Sequence, residues 1–363
     1  MYAERLARTR RRMEELEVDV LLLSVGADLP WLIGYRAMPL ERLTMLVVPA
    51  DDKATLVVPR LEAPRVVEQP GLFTMEAWEE TDDPIALVAG LAGAPRLVAM
   101  GERTWSRFLI DLQALLPDAR WQAADLVTGP LRAVKDVAEV ASLRAASAAA
   151  DRVAAELQAG GIPLVGRSEA QVSADLGRRL LAEGHASVNF AIVAAGANAA
   201  SPHHDAGSRI IEPDEVVLCD FGGTMPDGYC SDITRCVYTG EPPSLFRDLY
   251  RVLEEAQAAA VDAAVVGTPC EDVDAVARRI ITDGGYGSGF VHRTGHGIGL
   301  DEHENPYLVG GNCEELVPGH AFSVEPGIYL EGRFGARIED IVVASAAGPE
   351  PLNRVPHSVA VVA

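Results

Sequence analysis

An α/β domain over residues 1–132, followed by a second domain over 133–363 with two pseudo-symmetric halves, is the fold class the sequence predicts. Three observations point to it. Strand and helix patterns alternate through the first part, composition turns alanine-rich after Gly129, and a helix–glycine–strand pattern recurs one hundred residues apart. Length agrees, since 363 residues at about 150 per domain make two domains.

Taken in order, Glu4–Leu16 has helical spacing and leads into the apolar strand "DVLLLS". "LTMLVVP" and "ATLVVP" flank Asp51-Asp52 and predict a hairpin. "RLVAMGE" reads as a strand, and "TWSRFLIDLQALL" as a helix with Thr104 as its N-cap. Such alternation argues for a small α/β domain, and it contains no cluster of catalytic residue types. A long alanine-rich helix then begins at Asp136 and opens the second domain. In "SEAQVSADLGRRLLAEGHAS", Ser168 and Gln171 have capping-box spacing. "CEDVDAVARRIITDGGYGS" repeats that scheme, with Arg278-Arg279 matching Arg178-Arg179, so two related halves can build a site where they meet.

Composition narrows the function. Hydrophobic residues at 48% and charged residues at 23% suit a globular chain with a sizeable core. No apolar run approaches the roughly 18 residues of a membrane span, so no membrane partner is expected. The basic start "MYAERLARTRRRMEELEVD" continues into acids instead of a hydrophobic stretch, which reads as an amphipathic helix and not a signal, and implies a cytoplasmic enzyme. A net charge of −22 repels phosphate backbones and argues against nucleic acid. Five cysteines without a C-x-x-C pair read as free thiols in a reducing compartment.

The chemistry lies in the second domain. "VVLCDFGGTMPDGYCSDITRCVY" reads as a hairpin around a Pro-Asp-Gly turn, with Asp220 near the end of one strand and Asp232 early in the other. Glu325 in "FSVEPGIYL" and Glu339 in "GARIEDIVV" also interrupt apolar runs. A carboxylate there is costly unless something neutralises it. Taken singly, each reads as a surface acid or a salt-bridge partner. Four of them, together with the histidine-rich "FVHRTGHGIGLDEHENP", are poorly explained by solvation. Four carboxylates carry −4, which two divalent cations balance, with one neutral histidine completing the set. The oxygen-rich ligands suit manganese, cobalt, iron or zinc better than a thiolate-selected metal.

Asp220, Asp232, "GHGIGL…HE", "VEPG" and "RIED", in that order, resemble the pita-bread metallopeptidases: prolidases, aminopeptidase P and methionine aminopeptidases. The likeness covers the whole second domain, and the first domain is similar to the N-terminal domain of the prolidase and aminopeptidase P branch. It implies an α+β pita-bread (creatinase/aminopeptidase-type) catalytic domain and a homodimer. It also implies two divalent ions, manganese first, held by Asp220, Asp232, His296, Glu325 and Glu339, with Asp232 and Glu339 bridging. His292 and His303 would face the substrate, and His203 of "SPHHDAG" matches the family's Pro-His position, which leaves His204 as a surface bystander. Glycines on both sides of His296 would let backbone approach the metal.

Two departures matter. Asp232 follows Asp220 by twelve positions where the family usually has eleven, and the extra residue falls around Thr224–Gly228, in the turn. Tyr307 stands after "HENP" where dipeptide-specific prolidases carry an arginine for the substrate carboxylate, which puts strict dipeptide specificity in doubt. The resemblance implies hydrolysis of Xaa-Pro bonds in dipeptides or short peptides. Glu325 would act as ligand and proton shuttle, His203 and His303 as hydrogen-bond donors, Tyr307 as a substrate contact, and Arg337 as support for a bridging carboxylate. The alternatives are a short aminopeptidase P acting on longer Xaa-Pro peptides, a creatinase-like non-peptidase hydrolase, and a binding protein that kept the fold. Methionine aminopeptidase fits less well, because it does not usually need the N-terminal domain.

Overall fold

The computed structural model describes residues 1–362, and the chain divides into two compact units, Met1–Arg132 and a second beginning at Ala133. The first unit contains α1 (Tyr2–Glu15), β1 (Val20–Leu23), α2 (Asp28–Ile33), β2 (Met45–Pro49), β3 (Ala54–Pro59), β4 (Phe73–Trp78), α3 (Pro84–Ala92), β5 (Leu97–Met100), α4 (Ser106–Leu115), β6 (Arg120–Ala123) and α5 (Asp125–Ala133). Its six strands form one sheet in the order β4-β3-β2-β1-β5-β6. β2 and β3 pair antiparallel around the Asp51-Asp52 turn, while β1, β5 and β6 run parallel. Val20, Leu22, Val47, Val57 and Val98 pack beneath α3 and α4, as β-branched and leucine residues on one sheet face should. Thr104 does not cap α4. Its own N–H closes a turn onto Gly101 O, so the N-cap falls at Trp105, which makes no side-chain cap bond.

The second unit contains α6 (Val137–Gln158), α7 (Glu169–Ala182), β7 (Ser187–Ala195), β8 (Val216–Thr224), β9 (Ile233–Tyr238), α8 (Ser244–Ala263) and α9 (Cys270–Asp283). There follow β10 (Gly295–Gly297), β11 (Glu304–Leu308), β12 (Ala321–Val324), β13 (Gly327–Leu330), β14 (Phe334–Arg337), β15 (Asp340–Ser345), β16 (Gly348–Pro351) and β17 (Ala360–Val361). Capping boxes start α6 (Asp136 with Glu139) and α7 (Ser168 with Gln171), satisfying amide donors that a helix start leaves open. One sheet runs β17-β9-β8-β7 and another β11-β10-β12-β15-β16, with β13-β14 as a separate ribbon. Each half therefore places two helices before its strands: α6 and α7 before β7–β9, α8 and α9 before β10–β15. This is the pita-bread arrangement of two pseudo-symmetric halves, in a mixed α+β domain.

Strand alternation decides which residues face the space between the halves. Val217, Cys219 and Phe221 of β8 pack with Val153, Val172 and Leu176 of α6 and α7. Val216 and Leu218 point the other way, into the core shared with α8 and α9. Asp220 falls on that second face by its period of two. Cys219, Cys230, Cys236 and Cys270 are buried and Cys313 is exposed, all of them free thiols. Among the described residues no helix is long and apolar enough to cross a membrane.

Candidate metal centre

The β8–β9 hairpin supplies the first two acids. Its register runs without a break from Val216↔Tyr238 to Phe221↔Ile233 and on to the Thr224↔Cys230 bridge. The connection turns at Pro226-Asp227-Gly228, with Gly228 at φ +97°, and Met225 N bonds Tyr229 O at 2.8 Å. One additional residue is accommodated there without slipping the flanking strands. Asp220 sits in mid β8 and Asp232 immediately precedes β9; both are buried.

The second half brings the other ligand types. His296 is the middle residue of β10, between Gly295 and Gly297. A Cβ on Gly295 would meet Ser323 O at 1.9 Å, and one on Gly297 would meet Asn305 O at 2.2 Å. These glycines let the backbones of the neighbouring segments close on β10. Ser323 Oγ accepts from His296 N at 3.0 Å and donates to Glu325 Oε1 at 3.0 Å, so one hydroxyl orients two candidate ligands. Glu339 pairs with Thr234 in an isolated antiparallel bridge, and Thr234 Oγ1 donates to Glu339 Oε2 at 2.7 Å.

All five candidate ligands line one cavity of ≈ 480 Å³. Ligand atoms of Asp232, His296 and Glu339 lie within 4.8 Å of one another. His296 Nε2 is 3.1 Å from Glu325 Oε1 and 3.7 Å from Asp232 Oδ2. Asp220 Oδ2 accepts from Arg337 at 2.5 Å, while its buried Oδ1 has no partner. Burial, and then repulsion from Glu339 and Asp220, raises the Asp232 carboxyl well above the usual range. Burial and the Glu325 charge do the same to Glu339. Asp220 is also raised, by burial against the opposing pull of Arg337. Burial pushes Glu325 upward too, but its hydrogen bond to His296 and the nearby cations outweigh this and hold it at about 2. Carboxylates that resist ionising together, with one oxygen left unsatisfied, fit divalent cations, which replace the protons and cancel the repulsion.

The flanking side chains follow less closely what the sequence implies. His203, His292, His303 and Arg337 line the cavity, whereas Tyr307 is not among its lining residues. The Tyr307 ring lies beneath the Arg293 guanidinium, 4.4 Å from carbon to centroid, and it is Arg293 that reaches the cavity. His292 has both ring nitrogens engaged, Nδ1 at 2.7 Å from Arg293 O and Nε2 at 2.9 Å from Tyr329 Oη. Desolvation, then the charges of His296 and Arg293, pushes His303 down to about 4, although its ring keeps solvent access at the cavity mouth. Arg337 pairs with Asp220 and not with a bridging carboxylate. Its Nε donates to Thr234 Oγ1 at 3.1 Å, so it reaches Glu339 only through that hydroxyl. His204 is no surface bystander: its Nε2 lies 2.8 Å from Oε2 of the fully buried Glu169.

Sequence reasoning missed Tyr329, which accepts from Arg337 Nη1 at 2.7 Å and donates to His292. It missed Thr234, Arg293 and Glu169 as well. Phe190 and Ile192, two apart on β7, add an apolar wall to the cavity. Only the alternation in "VNFAIVA" hinted at that wall.

Comparison with known proteins gives these features a context. The Creatinase/Prolidase N-terminal domain family matches residues 5–134. A probable dipeptidase PepE of Mycobacterium tuberculosis is 42% identical, over all of this chain and 97% of its own length. An Xaa-Pro dipeptidase of Lactobacillus delbrueckii subsp. lactis is 32% identical, covering 94% of each chain. The crystal structure of dipeptidase PepE from Mycobacterium ulcerans superposes with a TM-score of 0.94 at 44% identity, over 99% of this chain and 98% of that one. Metallopeptidase family M24 matches residues 141–346, the segment that carries every acid and imidazole of the centre, and the chain belongs to that family as a peptidase.

Proposed function

We propose that this chain is a two-metal Xaa-Pro dipeptidase. The observation that carries the reading is one cavity lined by four carboxylates, three of them buried, and by His296, three further imidazoles, Phe190 and Ile192. Asp232, His296 and Glu339 converge closely enough to hold one divalent ion, and Asp220, through its unpartnered Oδ1, and Glu325 extend the set to a second. Asp232 and Glu339 would be the carboxylates that serve both ions. Manganese suits the oxygen-rich donors best, with cobalt, iron or zinc as substitutes. Such ions supply Lewis acidity, lowering the pKa of a water near the scissile bond and polarising its carbonyl.

The chain's own groups do the remaining work. Glu325 accepts the proton released by the attacking water and passes it to the leaving imide nitrogen, which must be protonated to depart. His303 is neutral near pH 7, and Arg293 lies 3.5 Å from its Nδ1, so the imidazole proton belongs on Nε2 and is available to the carbonyl oxygen. His203 stands at the same mouth. His292, tied through Tyr329 to Arg337, keeps the wall rigid. The apolar side chains of β7 offer the proline ring a surface without polar groups to desolvate. The name of the Lactobacillus relative supports the same substrate class.

Hydrolysis of Ala-Pro and of Ala-Ala by chelator-treated protein, with and without added manganese, tests this reading. Manganese-dependent cleavage that favours Ala-Pro is expected. Equal rates with excess chelator present would contradict it.

A further inference from the structure

A chain of net charge −22 keeps one guanidinium in the wall of this acidic cavity without a carboxylate partner among the described residues. Arg293 is half-buried and enters the cavity three residues before His296. Among the described residues its guanidinium meets the Tyr307 ring at 4.4 Å and His303 Nδ1 at 3.5 Å, and neither is an anion. Arg337, the other cation of the cavity, is already neutralised by Asp220. The place of Arg293 is set by the hairpin beneath it. Tyr307 stands opposite His296 in the β10–β11 register, so the phenol ring is fixed relative to the candidate metal ligand. A guanidinium lying on an aromatic face keeps its edge N–H donors free, and that fork matches a carboxylate.

We propose that Arg293, held on the Tyr307 ring, binds the terminal carboxylate of the substrate and makes the enzyme select dipeptides over longer peptides. The inference rests on the peptidase reading above and deepens it. In a dipeptide the free carboxylate lies one residue beyond the scissile carbonyl. In a longer peptide a neutral amide takes that place and leaves the cation without a counter-charge. Tyr307, which stands where an arginine would make this contact, becomes the platform for an arginine supplied from the segment that leads into β10. The function that the sequence leaves in doubt at position 307 is thereby carried at position 293.

The test is kcat/KM for Ala-Pro relative to its amide, Ala-Pro-NH2, measured on the full manganese-loaded chain. A charge-assisted contact predicts a wild-type preference for the free acid of about tenfold or more. R293Q should bring the ratio close to one, chiefly through KM, with R293K intermediate. Y307F should keep the ratio and Y307A should lower it. Because Arg293 also touches His303, turnover of both substrates can fall together in the variant, and the ratio cancels that effect. A wild type without preference, or an R293Q ratio equal to the wild type, overturns the carboxylate role and leaves the peptidase reading standing. A metal-loaded wild type that cleaves no Xaa-Pro substrate overturns that reading, and this role with it.

Discussion

Arg337 donates to Asp220 at 2.5 Å with both side chains buried, so the chain itself neutralises one acid of the centre. The same guanidinium bonds Tyr329 Oη and Thr234 Oγ1, tying the β8–β9 hairpin to the β13–β14 ribbon. Arg337→Met should therefore cost about 3–5 kcal/mol in metal-stripped protein, because a buried carboxylate loses its partner. Metal-loaded protein should lose less, since the ions offer a replacement countercharge. Denaturant unfolding of both proteins in both states measures this. Equal losses with and without metal would detach Arg337 from the centre.

Asp232 and Glu339 make the metal-free centre electrostatically unfavourable. Their folded-state pKa values are raised, so their contribution to metal-free stability is present below the ordinary carboxylate range and is lost as pH rises through the raised values. Metal binding needs both groups ionised and releases their protons. The gain in Tm on adding manganese should consequently grow with pH. At an ion concentration 1,000 times Kd the gain corresponds to about 4 kcal/mol. Asp232→Asn and Glu339→Gln should raise the Tm of stripped protein while abolishing the manganese-induced gain and the activity. A manganese shift independent of pH in the wild type would refute this account.

His296 and His303 have rings only 3.9 Å apart, yet their substitutions should separate cleanly. His296→Ala should lose metal, read by elemental analysis against a wild type binding up to two ions per chain. His303→Ala should keep its metal and lose about a hundredfold in kcat, the scale of one donor to a developing oxyanion. Equal metal loss in both variants would reverse the roles assigned here.

The five candidate ligands were legible because each offends a local rule: four acids break apolar runs of the sequence and a histidine stands between glycines, although of the acids only Asp220 lies within a strand and the others sit at strand ends. The two-half fold was legible from the repeated helix–glycine–strand pattern for a similar reason, since periodicity survives in one dimension. Arg293 was not. Its meaning comes from lying over Tyr307, fourteen positions away, which depends on the β10–β11 register and not on spacing. Thr234 and Tyr329 look like ordinary strand residues until their hydroxyls are seen between Arg337, Glu339 and His292. Thr104 failed in the opposite direction. It has the right chemistry for a cap, but a turn back to Gly101 moves it out of position.

Glu169 carries the last prediction. It is the first residue of α7 and fully buried, and it gathers donors from both ends of the segment leading to His203. Oε1 accepts from Ala195 N at 2.9 Å and Asn198 Nδ2 at 3.0 Å; Oε2 accepts from His204 Nε2 at 2.8 Å and Gly207 N at 3.4 Å. Burial pushes this carboxyl upward, but the Ala195, His204 and Asn198 hydrogen bonds outweigh it and hold the pKa below its ordinary value. The stabilisation is therefore present above the unfolded-state pKa and is lost as pH falls through the depressed one. Glu169→Gln turns an acceptor into a donor and strands at least one N–H, a loss of about 1.5–3 kcal/mol. For a unit of this size that lowers Tm by roughly 3–12 °C near neutral pH. The variant should also show a shallower acid-side decline than the wild type. Turnover should fall with metal content unchanged, because the clamp positions Pro202 and His203 at the cavity and touches no candidate ligand. Melting curves across pH, metal analysis and kcat on one preparation test all three effects. A variant that melts and turns over like the wild type would show that the segment holds its place without Glu169.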